Sequence, residues 1–151
     1  MFKPPAAPAI PDGARVVFLA GSIEMGAAED WQTRLGAALA DRAVALLNPR
    51  RDEWDASWRQ SIDEPKFREQ VEWELDGLAR ADVIAMWFAE ATRSPITLLE
   101  LGLHAAGGKL IVGCPPGFWR RGNIEVVAAR YRIPLHATWD EFSAAVVTAC
   151  G

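Results

Sequence analysis

The chain has 151 residues, half of them hydrophobic, and a net charge of −4. This length allows one domain with a substantial core and is too short for two ordinary domains. The charge shows no acidic or basic excess that would predict a nucleic-acid polymer or a membrane surface as partner, and no apolar run is long enough to span a bilayer.

Predicted strands and helices alternate along the chain. A proline-rich stretch over residues 1–13 is predicted to form an extended arm. Near-continuous apolar runs then predict strands at residues 15–20, 43–48, 82–88 and 109–114, with a short fifth strand around Leu135. Helical spacing of apolar residues predicts helices through Trp31, Leu35 and Leu39; through Phe67, Val71, Leu75 and Leu78; from Ser94; near residues 124–131; and from Asp140.

This order predicts one doubly wound α/β domain over residues 14–151, with a parallel sheet of about five strands covered by helices on both faces. Ligands bind such domains at the carboxyl ends of the strands. The polar, irregular segments that follow the predicted strands are residues 21–23, 48–51, 90–94 and 114–123. We expect these segments to surround one site.

Gly21 and Ser22, directly after the first strand, admit two interpretations. Small residues let backbone amides approach a phosphate or a sugar oxygen closely. A turn from strand to helix also often carries Gly-Ser for steric reasons alone. The sequence leaves both interpretations open.

The charged loop over residues 50–60 contains Trp54 and Trp58 close to Arg50. Two indoles beside an arginine suit a lid that stacks on a flat heterocycle, and Asn48 could hydrogen-bond the edge of that ring. The alternative is an ordinary solvated face.

Glu100 lies on the predicted helix that begins at Ser94, a favourable N-cap, and continues with Pro95 at the first helical position. Its neighbours on the helix are largely apolar, and an unpaired buried carboxylate is costly. Glu100 therefore either serves the scaffold, bonded to His104 or Arg93, or takes part in chemistry.

Neither a metal nor a cofactor is predicted. His104 and His136 do not belong to a cluster with metal-ligand spacing. Cys114 and Cys150 lie far apart and match no metal or redox motif, which predicts reduced thiols in the cytoplasm.

Six segments stand in a characteristic order and spacing that cover nearly the whole chain after the arm. They are Phe18–Ile23, Asn48–Arg51, Trp73–Leu75, Ala81–Asp82, Ser94–Gly102 and Gly117–Asn123. Together they resemble the nucleoside 2-deoxyribosyltransferase superfamily, and in particular its bacterial nucleoside 2-deoxyribosyltransferase-like branch.

The resemblance implies a flavodoxin-like, Rossmann-like fold and chemistry at the N-glycosidic bond of a nucleoside or nucleotide. It implies that Glu100 is the nucleophile and that Glu74 is a second carboxylate of the site, with Asp76 as the alternative. Ser94 corresponds to a position that helps to hold a 5′-phosphate. Homodimers or larger homo-oligomers are implied, in which a neighbouring subunit completes each site near Asn123.

Two departures from the family pattern affect the expected substrate. The nucleotide-hydrolysing relatives tend to carry an arginine soon after Gly-Ser-Ile, where this chain has Glu24 and Met25, so a 5′-phosphate would need Arg120 or Arg121 instead. The deoxy-selective relatives often carry Tyr where this chain has Phe18. We therefore expect ribose to be tolerated.

The predicted function is that of an N-glycosidase or deoxyribosyltransferase-like enzyme that forms a glycosyl-enzyme intermediate. The alternative is a non-catalytic nucleotide-binding or sensing module of the same fold. The predicted substrate-binding residues are Phe18, Gly21, Ser22, Ile23, Asn48, Arg50, Trp54, Ser94 and Asn123.

Overall fold

The computed structural model describes residues 1–23 and 28–151. The strands in this part of the chain are β1 Arg15–Gly21, β2 Val44–Leu47, β3 Val83–Trp87, β4 Leu110–Gly113 and β5 Leu135–His136. They pair in parallel and form one five-stranded sheet in the order β2-β1-β3-β4-β5. The predicted α/β fold with a parallel sheet is confirmed.

Helices cover both faces of the sheet. They are α1 Trp31–Ala38, α2 Pro65–Arg80, α3 Pro95–His104, α4 Arg121–Tyr131 and α5 Trp139–Ala149. Helices α1 and α5 pack on one face, whereas α2, α3 and α4 pack on the other. Within the described ranges, no helix is long and apolar enough to cross a membrane.

The continuous apolar runs follow from burial of the sheet on both faces. Successive side chains of a strand point to opposite faces. Phe18 and Ala20 of β1 therefore lie in the core under α2, α3 and α4, whereas Val17 and Leu19 lie in the core under α1 and α5. A strand buried on both sides needs apolar residues at every position.

The predicted inward face of α2 is wrong at one position. Leu75 was placed on that face, but its side chain is 46% exposed. The residues that α2 buries include Gln70, Gly77 and Leu78. The inward face of α2 includes two polar residues, Gln70 and Glu74, which are joined by a hydrogen bond. The spacing of apolar residues alone therefore does not identify this face.

The proline-rich arm packs against the domain, beside β2 and α2. Phe2 pairs with Leu47 and accepts a hydrogen bond from the Asn48 N–H at 2.9 Å. The Trp73 indole on α2 donates to the Ala6 carbonyl at 3.0 Å. The arm thus covers the outer edge of β2, which would otherwise present unpaired backbone groups.

Candidate active site

A cluster of hydroxyl groups lies where β1 and β3 end. This is the topological switch point of the sheet, since the helices after these two strands leave on opposite faces. Ser22 Oγ lies 2.8 Å from Thr92 Oγ1 and 2.5 Å from Ser94 Oγ, and the last two atoms are 2.8 Å apart. The structure therefore brings the predicted residues Ser22 and Ser94 together.

The hydroxyl cluster joins the end of β1 to the loop before α3. Ser22 Oγ accepts a hydrogen bond from the Ala89 N–H at 2.9 Å, and Thr92 Oγ1 donates to the Ala89 carbonyl at 2.7 Å. Ser94 has φ 46°, in the left-handed region that residues other than glycine seldom adopt. Such backbone strain is concentrated at functional sites.

Gly21 is required by close packing at the end of β1. Its φ is +149°, and a Cβ there would lie 2.4 Å from the Trp87 carbonyl oxygen and 2.8 Å from the Trp31 ring. This contact favours the steric interpretation of the Gly-Ser turn. Contact of Gly21 with a ligand stays a prediction.

The structure leaves part of this turn undescribed. Ile23 is the last residue before the gap, and it is partly exposed. Glu24 and Met25, which stand where the nucleotide-hydrolysing relatives tend to carry an arginine, lie outside the described residues.

Glu100 lies in the middle of α3 and is 8% exposed. Burial and, secondly, the charge of Glu74 raise the pKa of the Glu100 carboxyl to about 8. Neither His104 nor Arg93 is among the groups that shift this pKa. The scaffold interpretation of Glu100 thus lacks the ionic partner that it requires in the described part of the chain.

Glu74 lies on α2 and belongs to the same electrostatic pair. Burial raises the pKa of the Glu74 carboxyl, and a hydrogen bond from Gln70 opposes that increase. The Gln70 amide donates to Glu74 Oε1 at 2.8 Å and to the Pro49 carbonyl at 2.9 Å. The sequence interpretation missed Gln70, although its position four residues before Glu74 was a signal.

Asp76, the alternative to Glu74, points to another part of the molecule. It is exposed and lines, with Arg80, a crevice of about 170 Å³ between α2 and the arm. No charge interaction of Asp76 contributes to the raised pKa of Glu100 within the described residues. The charge that raises the pKa of Glu100 therefore comes from Glu74 and not from Asp76.

The side chains of Asn48 and Arg50 are engaged within the protein. Asn48 Oδ1 accepts from the Arg50 N–H at 3.0 Å, and its amide nitrogen lies 3.4 Å from Met1 Sδ. The Arg50 guanidinium donates to the Ala28 carbonyl at 2.7 Å and lies 3.9 Å from Asp30. These bonds order the segment that follows β2.

The predicted aromatic lid is folded onto itself. The Trp54 and Trp58 rings meet edge to face with centroids 5.2 Å apart. The Arg51 guanidinium lies 5.0 Å from the Trp58 ring centroid and is held by Glu69 at 3.0 Å. A heterocycle that inserts between the two indoles would have to separate them.

Phe18 and Asn123 lie apart from the hydroxyl cluster. Phe18 is 0% exposed and packs under α2, against Trp73. Asn123 is exposed in the first turn of α4. Phe18 thus contributes to the core, whereas a role for Asn123 in a site shared with a second copy stays a prediction.

The loop between β4 and α4 packs against the loop before α3. The Gly117 N–H donates to Glu90 at 3.1 Å, and the Trp119 indole donates to the Arg93 carbonyl at 3.1 Å. Arg120 stacks on Trp119, with its guanidinium 4.3 Å from the ring centroid. This places a basic, aromatic surface beside the N-terminus of α3.

Arg121 is committed to the scaffold. It bonds the Cys114 carbonyl at the end of β4 and pairs with Glu125 at 2.7 Å. Of the two arginines considered for a phosphate, Arg120 is the one at the loop surface. Across residues 1–23 and 28–151, no group of three His, Cys, Asp or Glu side chains could hold a metal ion.

These observations define a doubly wound α/β protein with two interacting carboxyl groups on the helices beside its switch point. The family model of nucleoside 2-deoxyribosyltransferase-like proteins matches residues 14–118. The chain belongs to this family, as the resemblance implied. Membership indicates nucleoside deoxyribosyltransferase-like activity, and thus a glycosyl-transferring enzyme.

A solved structure has the same fold. The crystal structure of a conserved protein from Enterococcus faecalis V583 aligns with a TM-score of 0.52 and 12% sequence identity, over 91% of this chain and 89% of that one. At this identity the similarity concerns the fold alone. No curated protein matches the sequence.

Proposed function

We propose that the protein cleaves or transfers the N-glycosidic bond of a nucleoside or nucleoside 5′-monophosphate in the cytoplasm, with Glu100 as the nucleophile. The carboxylate attacks the anomeric carbon through an oxocarbenium-like transition state and forms a glycosyl-enzyme. Water then hydrolyses this intermediate, or a second base accepts the sugar. The observation that carries the proposal is the electrostatic interaction of Glu100, buried on α3, with the partly buried Glu74 on α2.

The pair is proposed to keep one proton at neutral pH. Burial raises the pKa of both carboxyl groups, and the charge of Glu74 adds to the rise at Glu100, whose pKa reaches about 8. N-glycosidic cleavage by this route needs one carboxylate that attacks and one proton for the departing base. A pair with a single proton supplies both.

The proton balance of the cycle closes within the pair. The proton of Glu100 passes through Glu74 to the base nitrogen, while Glu100 forms its bond to the anomeric carbon and the base leaves with the electrons of the C–N bond. Glu74 then takes a proton from the attacking water, and the bond between the sugar and Glu100 breaks. Return of that proton to Glu100 restores the starting state.

The substrate contacts extend from the pair toward the strand ends. Ser22, Ser94 and the N-terminus of α3 would hold the 5′ end of the sugar, with Arg120 available for a 5′-phosphate. The loop after β2 would hold the base through Asn48, Arg50 and Trp54 once the Trp54 and Trp58 rings separate. Gly21 and Ile23 would border the sugar, and Phe18 supports this wall from the core.

A second copy of the chain would complete the site. The outer face of α3 exposes Ile96, Leu99 and Leu103 at helical spacing, on the same helix as Glu100. A stripe of this kind on a surface is typical of a protein interface. Association through this stripe would place a second copy against α3 and would bring Asn123 of that copy to the site.

The proposal is tested by incubating the protein with a mixed pool of ribonucleosides, 2′-deoxyribonucleosides and their 5′-monophosphates, with chromatography for free base. We expect base release by the native protein and no release by Glu100→Gln. Binding of a pool member in equilibrium dialysis, with no base released at any pH between 6 and 9, would instead identify the non-catalytic module.

A further inference from the structure

Gln70 joins two parts of the candidate site. It lies one helical turn before Glu74 on α2 and is 5% exposed. One amide nitrogen, Nε2, donates to Glu74 Oε1 at 2.8 Å and to the Pro49 carbonyl at 2.9 Å. The two N–H groups of this amide are thereby used, one on the carboxyl and one on the start of the loop after β2.

The orientation of the Gln70 amide is determined by its partners. Both are acceptors, so a flipped amide would set its oxygen against the Pro49 carbonyl and Glu74. In the unflipped amide, Oε1 is buried with no hydrogen-bond partner in the described part of the chain. A buried acceptor without a hydrogen bond lowers the stability of the fold. The two hydrogen bonds that the Gln70 amide donates are therefore retained at the expense of some stability.

Building on the proposed function, we propose that Gln70 is the positioning residue of the carboxyl pair. Its amide fixes the Glu74 carboxylate and favours the negative charge there, which leaves the shared proton on Glu100. The effect on the reaction is exerted through Glu74 and requires no contact between Gln70 and the substrate.

The charged groups around the pair do not replace this bond. From α3, Glu100 interacts with Glu74 electrostatically, and the charge of Glu74 raises the pKa of Glu100. From the loop after β2, Arg50 is held by Ala28 and Asp30, and Arg51 is held by Glu69. Neither arginine is among the groups that shift the pKa of Glu74 or of Glu100. Gln70 is the group that lowers the pKa of Glu74 against burial.

The test measures proton positions directly, without substrate. In protein labelled with ¹³C at the glutamate carboxyls, the signals of Glu74 and Glu100 are assigned through Glu74→Gln and Glu100→Gln and titrated from pH 4 to 10. In Gln70→Leu we expect the Glu74 midpoint to rise by about one pH unit and the Glu100 midpoint to fall. Titration curves that superimpose on those of the native protein would overturn the proposal.

Leu78→Ala serves as the matched control because it weakens the packing of the same helix and leaves the hydrogen bond between Gln70 and Glu74 in place. It should lower the melting temperature and leave both titration curves in place. If Leu78→Ala moves the curves as far as Gln70→Leu does, the shift reflects loosening of α2 and the proposal fails.

Base release from the nucleoside and nucleotide pool supplies a second measurement. Gln70→Leu should shift the pH profile of kcat/KM in the native background and should add no further loss to Glu74→Gln, since both act on one group. A further loss in the Glu74→Gln background would contradict the proposal. If the native protein releases no base, the proposed function fails, whereas the carboxyl titration still decides the role of Gln70.

Discussion

Glu74 on α2 and Glu100 on α3 form a pair of like charges in which the charge of Glu74 helps to raise the pKa of Glu100 to about 8. Gln70 donates a hydrogen bond to Glu74 that opposes the rise of its pKa, so the two carboxyl groups differ in their surroundings. Environments that separate two carboxyl groups in this way are typical of acid–base sites.

The stability of the native protein should fall as the pH rises from about 5 to 8. Since burial raises the pKa of Glu100 from 4.5 to about 8, the folded protein retains a proton in this range that the unfolded chain has released. Denaturation midpoints at pH 5.5 and 8.5 check the expected decrease. Glu100→Gln should show a flatter profile, and an unchanged slope in that variant would contradict the assignment.

Glu100→Gln should abolish base release and stabilise the fold. The substitution keeps the shape and removes a buried charge, so at pH 8 we expect a gain on the order of 2 kcal/mol in the free energy of unfolding. Base release should fall by several orders of magnitude, and mass spectra of trapped reactions should show no glycosyl-enzyme. A variant with a lower melting temperature that keeps its activity while folded would show that Glu100 has a structural role.

Ribose and 2-deoxyribose substrates should react with similar efficiency. Phe18 is fully buried under α2 and brings no hydroxyl group to the sugar, so it supplies no polar contact that distinguishes the two sugars. Measurement of kcat/KM for matched pairs checks this. A preference for deoxy sugars above roughly a hundredfold, equivalent to about 3 kcal/mol in the transition state, would exclude it.

Leu99→Lys should disrupt the self-association of the chain. Leu99 is 58% exposed in the apolar stripe of α3, and a lysine there would place a charge in the proposed interface. Light scattering at micromolar concentration should show a smaller particle than for the native protein. Ile62→Lys, the same kind of change at an exposed residue outside α3 and α4, should leave the mass unchanged. A native protein that is already monomeric would contradict the shared site.

Gly21→Ala should destabilise the protein, whereas Gly102→Ala should not. The new methyl at position 21 would collide with the Trp87 backbone and the Trp31 ring, at a cost of about 3 kcal/mol. In α3, a Cβ at position 102 meets nothing within 4 Å among the described residues, so a gain of roughly 0.5–1 kcal/mol is expected. Thermal melts of the two variants check the contrast, and equal effects would remove the packing explanation for Gly21.

The sequence by itself determined the order of strands and helices and the parallel sheet. Runs such as Val16–Ala20 are apolar at every position because the sheet is buried on both faces, and this pattern is local. The burial of Glu100, by contrast, did not follow from its apolar neighbours on the helix, since Ile96 and Leu103 are each 59% exposed.

Only the tertiary structure decided how the polar residues are used. Leu75 turned outward and Gln70 inward because the Gln70 amide finds acceptors on Glu74 and on Pro49, which lies 21 residues earlier in the chain. In the same way, Gly21 is required by the backbone of Trp87, far along the sequence. The burial of apolar side chains follows a short repeat that can be read from the sequence. A hydrogen bond or a steric contact between distant segments depends instead on distances and directions that exist only in the folded chain.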